Sequence, residues 1–186
     1  MATTTRTSVA AQNAEAPPLP PSQKPGLPTL HHLNNSQSQR ILWLLEELNI
    51  EYNLVLYQRV NERAPPELAN VHQLGKSPTL VTAEGRVVIE TSAIVSYLLK
   101  TYDPSHRFAP DDWLREETLV SFAASSLGPV NSIELLVELL PKHSPWPISI
   151  LMRMVQRSVQ KTYSREEFSK SMRYLEEELG EREWFN

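Results

Sequence analysis

Large apolar side chains are nearly absent from the first 26 positions, which are mostly Ala, Thr, Ser, Gln and Pro. Such a segment cannot bury enough surface to offset its ordering entropy, so residues 1–26 are expected to be a disordered tail. From Leu27 the pattern changes, and residues 27–33 read as a strand. Ser36 and Gln39 then stand at the spacing of a helix-opening capping box. They precede Ile41, Leu42, Leu44, Leu45 and Leu48 at helical intervals. Asn49 suits the left-handed residue that closes a helix. Tyr52, Leu54 and Leu56 alternate with Asn53 and Val55, so 51–57 reads as a second strand. A strand–helix–strand crossover makes the two strands parallel. A short helical piece is expected over 66–72. The apolar runs 79–82 and 86–89 flank Ala83-Glu84-Gly85 as an antiparallel hairpin. The helical stripe returns over 91–100 through Ile94, Val95, Leu98 and Leu99, and Asp103-Pro104 ends it.

This order predicts an α/β domain over 27–102, with a mixed four-stranded sheet and helices on its faces. A linker over 103–110 leads to an all-α region over 111–186. There, 111–140 is periodic with a bend at Gly128-Pro129, and 141–147 is a proline-rich break. A helix follows over 148–163. Ser164-Arg165-Glu166-Glu167 reads as a second capping box. It would open a helix through Phe168, Met172, Leu175 and Leu179 that stops at Gly180.

Composition narrows the function. The net charge of −4 shows no basic footprint, so no nucleic-acid partner is expected. The chain has no cysteine, which excludes disulfides, thiolate zinc sites and a protein thiol nucleophile, and a cytoplasmic location fits. No apolar core of a secretory signal is present near the start. The most apolar later stretch, 148–155, carries Arg153 and is far shorter than the ~20 residues of a membrane span, so no span is expected. Of the five histidines only His31 and His32 are adjacent. On a strand they point to opposite faces, so no metal is expected. Trp43, Leu44 and Leu45 are expected in the core or at a domain interface.

Three segments carry a resemblance. SQSQRILWLLEEL from Ser36, GKSPTL from Gly75 and ETSAIVSYL from Glu90 resemble, in order and on the matching elements, three signatures of the glutathione transferase N-terminal domain. The likeness covers 27–102 and is nearest the fungal and bacterial members with Ser-x-Ser-Gln-Arg at the first helix. The helices after Asp111 resemble the family's all-helical second domain. The resemblance implies a thioredoxin-like fold and glutathione as co-substrate.

On this resemblance Ser36 is the catalytic candidate, with Ser38 and Asn35 as rivals in register. A hydroxyl at a helix N-terminus stabilises a thiolate by hydrogen bonding, beside the positive end of the helix dipole. The thiolate is the nucleophile, and here it belongs to the ligand. From the local sequence the same hydroxyl is equally a cap. Pro78 resembles the family's cis-proline, and the backbone of Ser77 would pair with the cysteinyl part of glutathione like an added strand. Lys76 resembles the position that reaches the peptide's backbone or carboxylate. Its other reading is a solvated surface lysine. Thr91 stands where the family has Ser and keeps the hydroxyl. Thr91 would hold the γ-glutamyl carboxylate and Glu90 its ammonium. Read without the family, the pair is an N-cap with a first-turn acid.

Family members usually continue past the Glu183-Trp184-Phe185-Asn186 run with a core helix of the second domain. The chain therefore reads as shortened, with apolar faces of 111–140 and 151–163 uncovered and stability below a full-length relative. The function implied is a glutathione transferase joining the thiolate to an electrophilic, largely apolar small molecule held against the helices after Asp111. It would act as a homodimer, in detoxification or fungal secondary metabolism. A glutathione-dependent peroxidase or thiol reductase, and a non-catalytic interaction module, are the alternatives.

Overall fold

A computed structural model of the chain describes residues 23–185. They form two units dividing between Phe108 and Ala109, within the expected linker. The expected tail lies outside the described residues up to position 22. Its last part differs from expectation, because Lys24 is already tied to the fold. The Asn53 side chain accepts from its N–H (2.9 Å) and donates to its C=O (2.8 Å).

In the first unit β1 (Thr29–Leu33), α1 (Ser38–Glu47) and β2 (Asn53–Tyr57) form the crossover, and β1 and β2 pair in parallel. A 3₁₀ turn (Pro66–Asn70) leads to β3 (Thr79–Val81) and β4 (Val87–Ile89), and α2 (Thr91–Tyr102) follows. The sheet order is β2-β1-β3-β4, with β3 antiparallel to both neighbours. This is the mixed sheet of a thioredoxin-like domain. Gly85 takes φ 84° in the hairpin turn, where a side chain would be strained, and its N–H bonds Thr82 O at 2.9 Å. Asn49 takes φ 52° after α1, as its position suggested.

Leu30 and Leu80 face each other across β1 and β3, so their side chains share one sheet face. Ile41 and Leu45 of α1 and Ile94 and Leu98 of α2 close on them, and all six are fully buried. Both helices thus cover the same face. Trp43, expected in a core or interface, is 63% exposed, and its indole donates to Glu47 Oε1.

The second unit is two long helical runs. The first joins α3 (Trp113–Phe122) to α4 (Gly128–His143) through a wide π turn at Ala123–Leu127. The second joins α5 (Ile148–Val159) to α6 (Arg165–Leu179) through another at Gln160–Ser164. They run antiparallel: Arg115 meets Glu178, Phe122 meets Tyr174, and Glu134 meets Gln160. The helical run continues through Gly128-Pro129, with the π turn just ahead of them. Two expectations fail here. The break expected at 141–147 shrinks, since α4 continues through Pro141 to His143. His143 Nδ1 and the Ser144 hydroxyl lie 3.0 and 2.7 Å from the Leu139 and Leu140 carbonyls left over at its end. Ser164 caps nothing: it has helical φ and ψ inside the second run, and its Oγ is buried without a partner among the described residues.

Helical continuity also alters the membrane reckoning. Trp113–His143 is 31 residues long with a mean hydropathy of 1.3 in its most apolar window, long and apolar enough by length and composition to cross a membrane. The core helix of an all-α domain has the same properties.

Candidate functional site

The first two motifs meet at Leu33, the C-terminal end of β1, and the third comes in beside Gln37. Its N–H donates to Ser77 Oγ (3.2 Å), and the Ser77 hydroxyl donates to His31 O (3.1 Å). The second motif is thereby sewn to the first strand. The Ser77–Pro78 bond is cis. Pro78 is buried, and among the described residues neither the N–H nor the C=O of Ser77 has a partner. An unpaired donor and acceptor on one residue beside a sheet can take one more extended peptide.

The Leu33 carbonyl in turn accepts from the Ser36 hydroxyl at 2.7 Å. Asn35 turns the chain before it, with φ 49°. The expected capping box is not made: α1 starts at Ser38 with Gln37 as its cap residue, and no side chain caps it. Ser36 serves the start of α1 in another way, accepting from Ser38 N–H at 3.3 Å. The two hydroxyls lie 2.6 Å apart, and Ser38 Oγ is 2.9 Å from His32 Nδ1. Ser38 is wholly buried, whereas Ser36 is half-buried and Asn35 exposed. A ligand arriving from solvent can reach Ser36 but not Ser38.

The third motif reaches the same place through α2. Thr91 is its first residue, and its hydroxyl points to Gln37 Oε1 at 3.5 Å, the edge of hydrogen-bond range. Glu90 is the cap residue and caps nothing. It holds φ 68° and its carboxylate has no partner among the described residues. The ordinary N-cap reading of this pair therefore fails. A non-glycine residue held in the left-handed region, beside uncapped backbone N–H groups, is the kind of local strain found where ligands bind. Lys76 is exposed, with its carbonyl bonded by Thr79 Oγ1 at 2.7 Å.

Two neighbours carried no motif. Arg59, just past β2, donates to the carbonyls of Asn34 (3.3 Å), Asn35 (3.1 Å) and Glu62 (3.0 Å), and its backbone N–H bonds Asn34 Oδ1 (2.8 Å). It fixes the loop that delivers Ser36. His32 was recognisable only as the member of a pair that faces away from His31. His31 points to the other face, 2.9 Å from the Tyr57 hydroxyl, and burial pulls its pKa down to about 4. Among the described residues no group of three or more His, Asp or Glu could hold a metal. A concavity of about 460 Å³, lined by Lys24, Glu46, Glu51, Tyr52 and Asn53, lies at the opposite end of β2 and includes none of Ser36, Ser77, Glu90 or Thr91.

The domain family described as the glutathione S-transferase N-terminal domain matches residues 36–101. Glutathione S-transferase 3 of Schizosaccharomyces pombe is 33% identical over 159 residues, 84% of this chain and 65% of the relative. Glutathione S-transferase 1 of Saccharomyces cerevisiae is 34% identical over 161 residues, 81% of this chain and 69% of the relative. The chain thus spans about two thirds of the length of these relatives. The crystal structure of a glutathione S-transferase from Actinobacillus pleuropneumoniae superimposes with a TM-score of 0.60 at 30% identity, covering 86% of this chain and 69% of that one. The chain belongs to the glutathione S-transferase family.

Proposed function

We propose that the chain binds glutathione at the end of β1 and uses Ser36 to hold its thiol as a thiolate. The thiolate then adds to an electrophilic, largely apolar small molecule. One observation carries this reading: Leu33 ties the first two motifs together and the third reaches Gln37 beside them, with Ser36 reachable from solvent and the Ser77 backbone pair open. In this reading the Ser77 N–H and C=O take the cysteinyl backbone. The Thr91 N–H and hydroxyl take the γ-glutamyl carboxylate, Glu90 takes the ammonium, and Lys76 takes a peptide carboxylate. Ser36 is favoured over Ser38, which is buried, and over Asn35, whose place is explained by the turn.

Lowering a thiol pKa from ~8.5 by about 2 units requires roughly 2.7 kcal/mol. One hydrogen bond to a charged acceptor, of about 1.5–3 kcal/mol, is of that size. Ser36→Ala is therefore expected to raise the pKa of the bound thiol and to lower turnover of a chloronitrobenzene at pH 7 by about 10- to 100-fold. The loss should shrink as pH rises and the thiol ionises unaided. Retention on immobilised glutathione should change little. No binding to immobilised glutathione, or a Ser36→Ala variant with unchanged turnover, would refute the proposal.

Turnover of an organic hydroperoxide in preference to the electrophile would place the same thiolate in reduction. A non-catalytic interaction module has one observation in its favour, the apolar side chains exposed on the helical unit. Tight glutathione binding without turnover of either substrate would support it. We place the enzyme in detoxification or secondary metabolism, as a homodimer. Trp113–His143 is read as a helix of the second domain rather than a span, which partition of the expressed protein between cytosol and membranes would check.

A further inference from the structure

The hydroxyl of Ser36 does not stand alone, and its surroundings decide whether it can serve a thiolate. Ser36 and Ser38 each own one hydroxyl hydrogen. Within reach are the Leu33 carbonyl, 2.7 Å from Ser36 and 3.3 Å from Ser38, each other at 2.6 Å, and His32 Nδ1 at 2.9 Å from Ser38. His32 Nδ1 can be a donor or an acceptor, depending on where the ring carries its proton.

If Nδ1 bears a lone pair, Ser38 spends its hydrogen on the ring and cannot donate to Ser36. Ser36 then directs its own hydrogen inward, to Leu33 O or to Ser38. If Nδ1 bears the hydrogen, the order reverses. His32 donates to Ser38, Ser38 donates to Ser36, and the hydrogen of Ser36, left with the Leu33 carbonyl alone, can turn outward to a charged acceptor. Each hydroxyl that accepts a bond while donating another is polarised, by about 10–30% per bond.

We infer that His32, acting through the buried Ser38, sets the direction of this hydroxyl chain and so makes Ser36 a donor to the bound thiolate. His32 is then a positioning residue. It touches no substrate and gives up no proton. The inference rests on the glutathione reading and adds to it a residue outside the segment matched by the family, which begins at residue 36.

The test reads the bound thiol directly. Thiolate absorbance of glutathione bound to the full chain is titrated in the parent and in His32→Phe, His32→Asn and Ser36→Ala. S-methylglutathione, which has no thiol, reports binding alone. His32→Phe is expected to cut the thiolate fraction at pH 7 about three- to ten-fold while S-methylglutathione binding stays within about two-fold. His32→Asn, whose amide N–H can occupy the place of Nδ1–H, should stay near the parent. A merely structural role would not separate the two variants in this way. In case His32→Phe fails to fold, nitrogen-15 correlation spectra of the parent complex read the tautomer with no variant: the Nδ1–H form is expected, and the Nε2–H form overturns the inference. Ser36→Ala lowering the thiolate fraction while His32→Phe does not would overturn the relay alone. Failure of S-methylglutathione to bind the parent would overturn the glutathione reading and the relay with it.

Discussion

In the sheet unit, six apolar side chains from four elements are wholly buried together. In the helical unit, Val130 and Val137 are the buried apolar residues among those described, while Leu135, Leu136, Ile150, Leu151 and Met154 are each more than half exposed. The two units are of similar apolar character, so composition does not explain the difference. Architecture does. A sheet flanked by two helices encloses a volume, and side chains from several directions fill it. Two antiparallel helices meet along one line. Each can turn only one narrow stripe to the other, and the remaining apolar positions stay outside. The sheet unit closes its own core. The helical unit has an apolar surface larger than its single contact line can use.

That contrast is most easily broken by truncating matched leucines. Leu98→Ala empties a fully buried site on α2 and should cost about 3 kcal/mol in denaturant unfolding of the sheet unit. Leu136→Ala removes a side chain that is 59% exposed and should change stability by less than about 0.5 kcal/mol. Equal losses would show that something covers the α4 face in solution, and the comparison would fail. Amide exchange gives the same contrast without mutation, with slower exchange in β1, β3 and α1 than in α3–α6.

The same division marks what could be read from sequence. In the first unit the hydrophobic period switches between two and 3.6, and each switch falls at a turn signal such as Asn49 or Ala83-Glu84-Gly85. Element order, pairing and the convergence of Ser36, Ser77 and Thr91 followed. In the second unit the period never changes, and only breakers were left to mark boundaries. Pro141 misled, because it sits in the last turn of α4, where the hydrogen bonding already changes. Both capping boxes misled for a shared reason. Ser36-x-x-Gln39 and Ser164-x-x-Glu167 have the right residues, but a box needs a cap residue outside the helical region, and that is a property of the backbone. Ser164 lies inside a helix, and the Ser36 hydroxyl contacts Leu33 O and Ser38 rather than the N–H of Gln39. Arg59 and His32 were illegible as site residues, since their partners are a loop carbonyl and a hydroxyl set only by the tertiary fold.

Acid should separate the units next. His31 is buried and its pKa falls from 6.5 to about 4 in the folded chain, through desolvation. A lowered pKa on a base means that the unfolded chain binds the proton more readily. The stability it contributes is complete above pH 6.5 and is lost as pH falls towards 4. The loss should be on the order of 2 kcal/mol by pH 4, and it should belong to the sheet unit. His31→Gln should flatten this part of the stability–pH curve. An unchanged slope in that variant would assign the acid sensitivity to other groups.

The smallest expected effect concerns how each unit pins an end with arginine. Arg59 holds loop carbonyls beside Ser36, and Arg115 holds the end of α6. The Arg115 guanidinium bonds Glu178 Oε2 (3.0 Å) and Glu178 O (2.7 Å), and it also reaches Phe185 O. The last carbonyls of a helix have no partner in the helix, and a cation there also opposes the negative end of the dipole. In the sheet unit a comparable clasp adds to a closed core. In the helical unit it is one of few ties between the far ends of two long runs, alongside the Phe122–Tyr174 ring contact. The pair is partly open to solvent, which limits its contribution to about 1 kcal/mol. Arg115→Ala should therefore lower stability only slightly, yet speed amide exchange at both 113–118 and 175–182, because both ends lose the same tie. Arg59→Ala should leave exchange in the sheet core unchanged and act on turnover through Ser36 instead. Faster exchange at only one end after Arg115→Ala would show that the two runs are held together by packing alone.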